Sequence, residues 1–596
     1  MNTRREFLIA STLTIGSFVI STGLSGCGGG GASNISASFN HGVASGDPLN
    51  DRVILWTRAT PDTDVDSFSI YYEVATDITF KNLVRKAEYA TVKKSSDYTL
   101  KVDFQNLEAG TTYYYRFGTG DKVSDVGITK TLPTVASKVK MAVFSCANYP
   151  KGYFNVYTEA AKTGDLDVTL HLGDYIYEYG MFNKDGSPAY ATENAVNIGR
   201  ELPADNNTEL YDLNEYRKRY ALYRTDAGTR SIHAVAPMIA VWDDHEVAND
   251  TYKDGAQNHD EATEGSFSSR KLAALQAYFE WMPIRPVSDT DKETIYRSFD
   301  FGQLVSLHML DTRIIGRDKQ LKYSDYPEMF TQGDSSNFLT DLTSQNRTIM
   351  GTTQLQWLQG QLASSNATWQ VLGQQVLMGR MQLPAELLGL IGQLEGTDAS
   401  TKDVILAQLN TLMGELAVIK SRILQNDPTL TPQESARVLT TLPYNLDAWD
   451  GYFYERETIL NTALQLDKNL VVLAGDTHNS WASNLYALDS EQKPTIAVGV
   501  EFATSSVSSP GMEEYVGLST QESASQFEQV ISLLIDNLEY FNSNNRGFMT
   551  VTFTDTQAIS QWTYVDTIDN TSYETMQQRN KQLKVTPSTN KIETIA

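Results

Sequence analysis

A chain of 596 residues is too long for one hydrophobic core and requires two or more domains. Its 41% apolar and 20% charged residues are those of a globular protein and exclude global disorder. The formal charge of −25, from 73 acidic against 48 basic residues, argues against a nucleic-acid-binding surface; it reads first as a solvated exterior and second as an attraction for divalent cations.

The first 27 residues read as an address. Thr3-Arg4-Arg5-Glu6-Phe7-Leu8 is a twin-arginine pattern, followed by an apolar stretch from Leu8 to Ile20 that is too short to span a bilayer. Leu24-Ser25-Gly26-Cys27 resembles a bacterial lipobox, with cleavage before Cys27 and a lipid on its sulfur. Small residues before Cys27 and four glycines after it favour lipidation over a chance cysteine, and residues 28–37 then form a flexible tether. Gly28 is not an Asp retention signal, so outer-membrane sorting fits a cell with two membranes. The expected location is the cell envelope, periplasmic or at the surface, held to the membrane by the lipid. Export of an already folded chain suits an enzyme that takes up its metal in the cytoplasm. There are only two cysteines, so a lipidated Cys27 leaves Cys146 without a disulfide partner, either as an inert core residue or as a metal-bound thiolate.

From residue 38 to 134 the pattern is one of short alternating strands, as in Arg52-Val53-Ile54-Leu55-Trp56, Phe68-Ser69-Ile70-Tyr71-Tyr72 and Thr112-Tyr113-Tyr114-Tyr115-Arg116-Phe117, and predicts a fibronectin- or Ig-like β-sandwich. Tyr113 is its candidate corner tyrosine, and Thr131-Leu132-Pro133 reads as a linker. From residue 138 to the end, apolar β runs separated by long helical or irregular stretches predict an α/β domain. Most of these runs are followed by a potential metal ligand, in Ser145-Cys146, Gly173-Asp174, Asp243-Asp244-His245, Asp311 and Gly475-Asp476-Thr477-His478. A single Asp after a strand is usually a helix cap, but five such ends in one chain predict convergence on one crevice. Between Leu383 and Leu442, the stripe Ile405, Leu409, Leu412, Leu416 and Ile419 and the capping box beginning at Thr431 predict a helical insertion. Phe548 to Phe553 and Ile559 to Tyr564 predict a closing β-hairpin.

Metal ions suit phosphate-ester hydrolysis because they neutralise phosphoryl oxygens and activate water. Carboxylates favour hard cations, phenolate or thiolate suits ferric iron, and imidazole suits transition metals. Gly173-Asp174-Tyr175-Ile176-Tyr177-Glu178 sets a carboxylate and a phenol three positions apart, and Asp243 to Asp250 packs six potential ligands into eight residues. With His41 to Pro48, Phe144-Ser145-Cys146, Trp242 to Glu246, Leu310-Asp311-Thr312-Arg313, Trp449-Asp450-Gly451-Tyr452 and Gly475 to Trp481, these segments resemble, in order, the D-type (PhoD-like) alkaline phosphatases of the calcineurin-like metallophosphoesterase superfamily.

The resemblance implies an α/β metallophosphoesterase β-sandwich core with layered helices, and an Fe3+ and Ca2+ site in place of a nucleophilic serine. Cys146, Asp174 and Tyr177 would hold the iron, with Asp476 as a fourth ligand and Asp174 bridging towards calcium. Asp244, Asn249 and His478 are candidates for calcium coordination, phosphate contact or proton transfer. His245 resembles a motif histidine of the superfamily, although Asp244 stands where that motif has Asn. The implied reaction is in-line attack of activated water on phosphorus, with a histidine protonating the leaving alkoxide. Its substrates would be small phosphate esters or, in a rival reading, the diesters of phospholipid head groups or polymers. A second rival is a non-catalytic surface lipoprotein that binds through its sandwich. His41, His171, His233, His259 and His308 read as structural, and Asp311 and Arg313 as orienting the site or pairing with each other.

Overall fold

The computed structural model describes residues 17–21, 35–288, 291–394, 399–489 and 492–595. The twin-arginine pattern and Cys27 lie outside the described residues. Ser17–Ser21, within the segment read as an export signal, lies as a parallel edge strand against Thr99–Gln105.

Alternation builds the N-terminal sandwich. In Ser67–Ala75 the side chains of Phe68, Ile70, Tyr72 and Val74 are buried, while those between them face outward. They meet Leu55 and Val102 of the opposite sheet in one core. The Tyr113 hydroxyl accepts the Glu108 backbone N–H at 2.9 Å, and the Thr131 hydroxyl donates to the Glu108 carbonyl at 2.6 Å. The corner expected at Tyr113 is therefore present, and the segment read as a linker is bonded into it.

One sheet of this sandwich continues into the next unit. Val43–Gly46 pairs with Met238–Ala240, and the sheet runs on through Val168–His171 and Lys138–Phe144 to the antiparallel strands Arg546–Thr554, Ala558–Val565, Lys581–Val585 and Ile592–Thr594, making eleven strands. The junction is the single pair Gly46 and Met238, where a Cβ on residue 46 would come within 2.5 Å of the Met238 carbonyl. Charged bonds reinforce the seam: Asp47 accepts the Arg285 backbone N–H at 2.7 Å and pairs with Arg297 at 2.6 Å, while the Trp56 indole donates to the Glu280 carbonyl at 2.8 Å.

The second sheet has seven strands among the described residues, with Val305–Met309, Trp369–Gly373, Leu470–Ala474 and Pro494–Ala503 running parallel in its middle. Leu470–Ala474 is covered on both faces, which explains its unbroken apolar run. Its inner face packs on the first sheet, with Val471, Leu473 and Phe502 against a core that includes Val143, Leu170 and Met549. Two indoles bond across the interior, Trp369 to the Thr554 carbonyl at 2.7 Å and Trp562 to that of Ala503 at 2.9 Å. The helices Gly351–Ser364, Phe453–Gln465 and Gln521–Leu534 supply Leu358, Ile459 and Ile531 to a second core on the outer face. The architecture is the expected metallophosphoesterase β-sandwich with layered helices.

The insertion leaves and re-enters through a two-stranded neck, Gln382–Pro384 paired with Thr441–Pro443. Its helix Ala399–Leu424 buries Ile405, Leu409, Leu416 and Ile419, with Met413 more deeply placed than Leu412. That helix is long and apolar enough to cross a membrane, yet its apolar stripe packs into the outer core. Thr431 and Glu434 close the reciprocal cap of Pro432–Leu439.

Candidate metal centre

Parallel strands in both sheets end on one edge of the sandwich, and the turns beyond them carry the predicted ligands. Cys146 follows Lys138–Phe144, Asp174 and Tyr177 follow Val168–His171, Asp244 and His245 follow Met238–Ala240, and Asp476 and His478 follow Leu470–Ala474. Four of these residues have left-handed backbones, with φ of 61° at Cys146, 56° at Asp174, 65° at Asp476 and 62° at His478. Each costs about 1–3 kcal/mol in a residue with a Cβ. The first two turns hold each other: Cys146 N–H donates to the Gly173 carbonyl at 3.2 Å and Ala147 N–H to that of Asp174 at 2.9 Å.

Among the described residues, three groups of ligand atoms lie within 4.8 Å of one another: Cys146, Asp174 and His478; Asp174, Asp244 and His245; and Asp243, Asp244 and Asp476. Asp174 belongs to the first two and Asp244 to the last two, so the groups form a continuous row. The Tyr177 hydroxyl joins the first, 3.1 Å from Asp174 Oδ2 and 3.2 Å from His478 Nε2, and accepts the Ser509 hydroxyl at 2.6 Å. His478 Nδ1 donates to the Pro510 carbonyl at 2.6 Å, leaving the Nε2 lone pair facing Tyr177 and the ligand group. Asp476 sits beside Asp243 and Asp244, whereas His478 shares the group of Cys146.

Behind the ligands lies a second layer of carboxylates. Glu178 takes His245 Nδ1 at 2.7 Å and is fixed by the Asn249 backbone N–H at 2.7 Å and the Asn258 amide at 2.8 Å. Glu246 accepts the backbone N–H groups of Asp174, Tyr175 and Asp243, locking two ligand turns together. The Asn249 side-chain amide donates to Gln257 at 3.1 Å. Arg313, 1% exposed, bonds to Asp243, to Asp447 at 2.8 Å and to Asp476 at 3.1 Å, and stands 3.7 Å from Asp244. Arg317 also pairs with Asp447. Asp311 does not pair with the Arg313 side chain; its carboxylate accepts the backbone N–H groups of Arg313 and Ile314 and so shapes the turn that aims it.

These groups leave the centre short of positive charge. Burial pushes the Asp174 and Asp243 carboxyls well above the usual range, and burial together with Asp447 and Asp244 lifts Asp476 to about 7 against the pull of Arg313. Burial opposes charge on His245, but Asp244, Glu178 and Asp174 outweigh it and hold the imidazole protonated above its ordinary range. Burial lowers His478 to about 3, leaving it neutral. Burial also raises the Cys146 thiol. Asp174 Oδ1 and Asp243 Oδ2 are buried without a hydrogen-bond partner among the described residues. Orphaned carboxylate oxygens, a neutral imidazole with an unprotonated nitrogen and a thiol beside a phenol fit bound cations.

The remaining histidines hold the structure: His171 bonds to Tyr157, His233 to Tyr175, and His308 to Ser298 and Gln370, while His259 contacts the Gly265 carbonyl and His41 packs on Trp281. Sequence reasoning did not place Ser509, Asp447 or Arg317 at the centre. Ser509 belongs to a serine-rich run with no ligand pattern, and Asp447 precedes its motif by two residues.

A two-sheet sandwich that gathers thiol, phenol, imidazole and carboxylate donors at one strand edge defines a metal-dependent metallophosphoesterase. The matching relatives narrow this class. The PhoD-like phosphatase model matches residues 141–562 and the model of its N-terminal domain matches residues 26–133, so the chain belongs to the PhoD-like phosphatase family. It is 35% identical over 488 residues to alkaline phosphatase D of Bacillus subtilis (strain 168), covering 80% of this chain and 70% of that one. A solved structure of PhoD matches with a TM-score of 0.70 and 29% identity, over 94% of this chain and 92% of that one. The protein is a phosphoric ester hydrolase of the alkaline phosphatase type.

Proposed function

We infer that this hydrolase works as an exported, lipid-anchored phosphatase of the cell envelope with a mixed iron and calcium centre. The twin-arginine pattern and Cys27 support the export route and the anchor. The sharing of Asp174 and Asp244 between adjacent ligand groups carries the reading of the centre. In this reading Cys146, Tyr177, Asp174 and His478 would hold Fe3+, because thiolate and phenolate suit ferric iron, and Asp244 with its neighbours Asp174 on one side and Asp476 on the other would offer carboxylates to Ca2+. When bound, the cations neutralise the phosphoryl oxygens and make water nucleophilic at neutral pH.

The chain's own groups do the rest. His245, oriented by Glu178 through Nδ1 and grouped with Asp174 and Asp244, delivers a proton to the leaving alkoxide. Arg313 spaces Asp243, Asp447 and Asp476. His478, held by Pro510, serves as a ligand and not as an acid. Asp174→Asn is expected to lose both turnover and iron, and retention of either overturns the assignment. Tyr177→Phe is expected to remove the visible absorption band of a ferric phenolate; a band that persists places the iron elsewhere. Asp447 and Asp476 keep side-chain exposures of 16% and 17%, so the centre meets solvent on their side. Rates on an aryl phosphate monoester and the matching diester separate phosphate scavenging from action on lipid or polymer diesters.

A further inference from the structure

On the outer face of the second sheet, beneath the helical insertion, lies a cavity of about 410 Å3, a size typical of ligand sites. Leu460, Leu485 and Leu534 give it an apolar lining, and Leu439, 61% exposed, stands at its edge. Three cationic side chains line it, those of Arg380, Lys420 and Arg456, against one carboxylate, that of Asp536.

The three cations are not equally committed. Arg456 pairs with Asp450 at 2.8 Å and Glu457 at 2.7 Å. Lys420 reaches Asp536 at 2.6 Å, a carboxylate that is itself 76% exposed. Arg380 makes no ion pair among the described residues: Nη1 donates to the Gln492 carbonyl at 3.1 Å, and Nε is buried without an acceptor. The Asn537 amide nitrogen, on the same lining, is also buried without one. The turn carrying Arg380 is held by Glu501, which accepts the backbone N–H groups of Met378 at 2.5 Å and Gly379 at 2.8 Å.

A half-buried guanidinium with no direct ion pair and a buried Nε that lacks an acceptor among the described residues is costly. An inorganic anion would satisfy it but leave the leucines bare, and a neutral apolar molecule would do the reverse. We propose that this cavity is a second ligand site that takes an amphiphilic organic anion, its head on Arg380 and Asn537 and its apolar body against Leu460, Leu485 and Leu534. The site is separate from the metal centre and does not depend on the reading of its metals.

The test is calorimetric titration of the full-length, metal-loaded protein with octanoate, octanol and sulfate. Octanoate is expected to saturate one site, with octanol and sulfate weaker by about tenfold or more. Arg380→Met and Leu439→Trp are each expected to weaken octanoate by about tenfold or more, with iron content and aryl phosphate hydrolysis unchanged. Octanol binding as well as octanoate would reduce the site to an apolar cleft, and sulfate binding as well would reduce it to a lone cation; either overturns the proposal. So does octanoate binding that is absent, or that survives both variants and therefore lies elsewhere. If Arg380→Met does not fold, Leu439→Trp decides, since residue 439 is exposed.

Discussion

Arg313→Met keeps the length and apolar stem of the side chain and removes only the charge that four carboxylates share. Removing one partner of a buried ion pair costs about 3–5 kcal/mol. Here the lost guanidinium is 1% exposed and touches Asp243, Asp447 and Asp476, with Asp244 at 3.7 Å, so the metal-free protein is expected at the upper end of that range. On the proposed reading calcium restores positive charge to the same carboxylates, so the loss is expected to shrink to about 2 kcal/mol or less when it is in excess. Urea unfolding of wild type and variant, each in chelator and in calcium, measures all four values. Arg313→Lys is expected to fall between the two, because an ammonium cannot fork to several carboxylates. Equal losses in chelator and calcium, or a loss below about 1 kcal/mol in chelator, would refute the view of Arg313 as the counter-charge of the centre.

His245→Gln is expected to slow hydrolysis of an alkyl phosphate by about 100-fold or more while slowing a nitrophenyl phosphate far less, since only the poor leaving group needs the proton; equal effects would remove His245 from that role. Lys101 is 3% exposed, its ammonium held by the Ile284 carbonyl at 3.2 Å, and burial lowers its pKa from 10.5 to about 7. Below pH 7 the lysine is charged in both folded and unfolded chains and its burial costs about 3–6 kcal/mol. Above pH 10.5 it is neutral in both and that cost is gone, so stability gains from this residue as pH rises between the two values. Lys101→Met is therefore expected to stabilise most near pH 6 and not at all near pH 11, and a pH-independent effect in thermal unfolding contradicts the assignment. Tyr113→Phe is expected to lose about 1–2 kcal/mol by leaving the Glu108 N–H without its acceptor, with kcat unchanged; an activity loss without destabilisation would tie the corner to catalysis instead.

The strand-end ligands were legible because each rule is local: an apolar run buried on both faces, then a turn bearing a polar donor. That brought Cys146, Asp174, Tyr177, Asp244, His245, Asp476 and His478 to one edge of the sandwich. Which ligand joins which group was not legible, because Asp476 and His478 lie two residues apart and their left-handed backbones send them to different neighbours. Arg313 was noticed, but its partners are 70, 134 and 163 residues away and no spacing predicts them. Leu412 was read into the apolar stripe of the insertion where Met413 lies deeper, since Ala399–Leu424 packs against both Pro432–Leu439 and Gln521–Leu534 and buries a wider arc than one stripe. The seam through Gly46 and Met238 depends on two strands of four and three residues, too short to show a period.

That seam changes what the sandwich is for. A catalytic half made without residues 1–134 would keep Met238–Ala240 but lose Val43–Gly46, the strand that occupies its outer side. That short uncovered margin would then invite pairing with another copy. The sandwich thus insulates an otherwise adhesive sheet margin, and the smaller soluble fragment a protein engineer would first reach for is the one expected to aggregate.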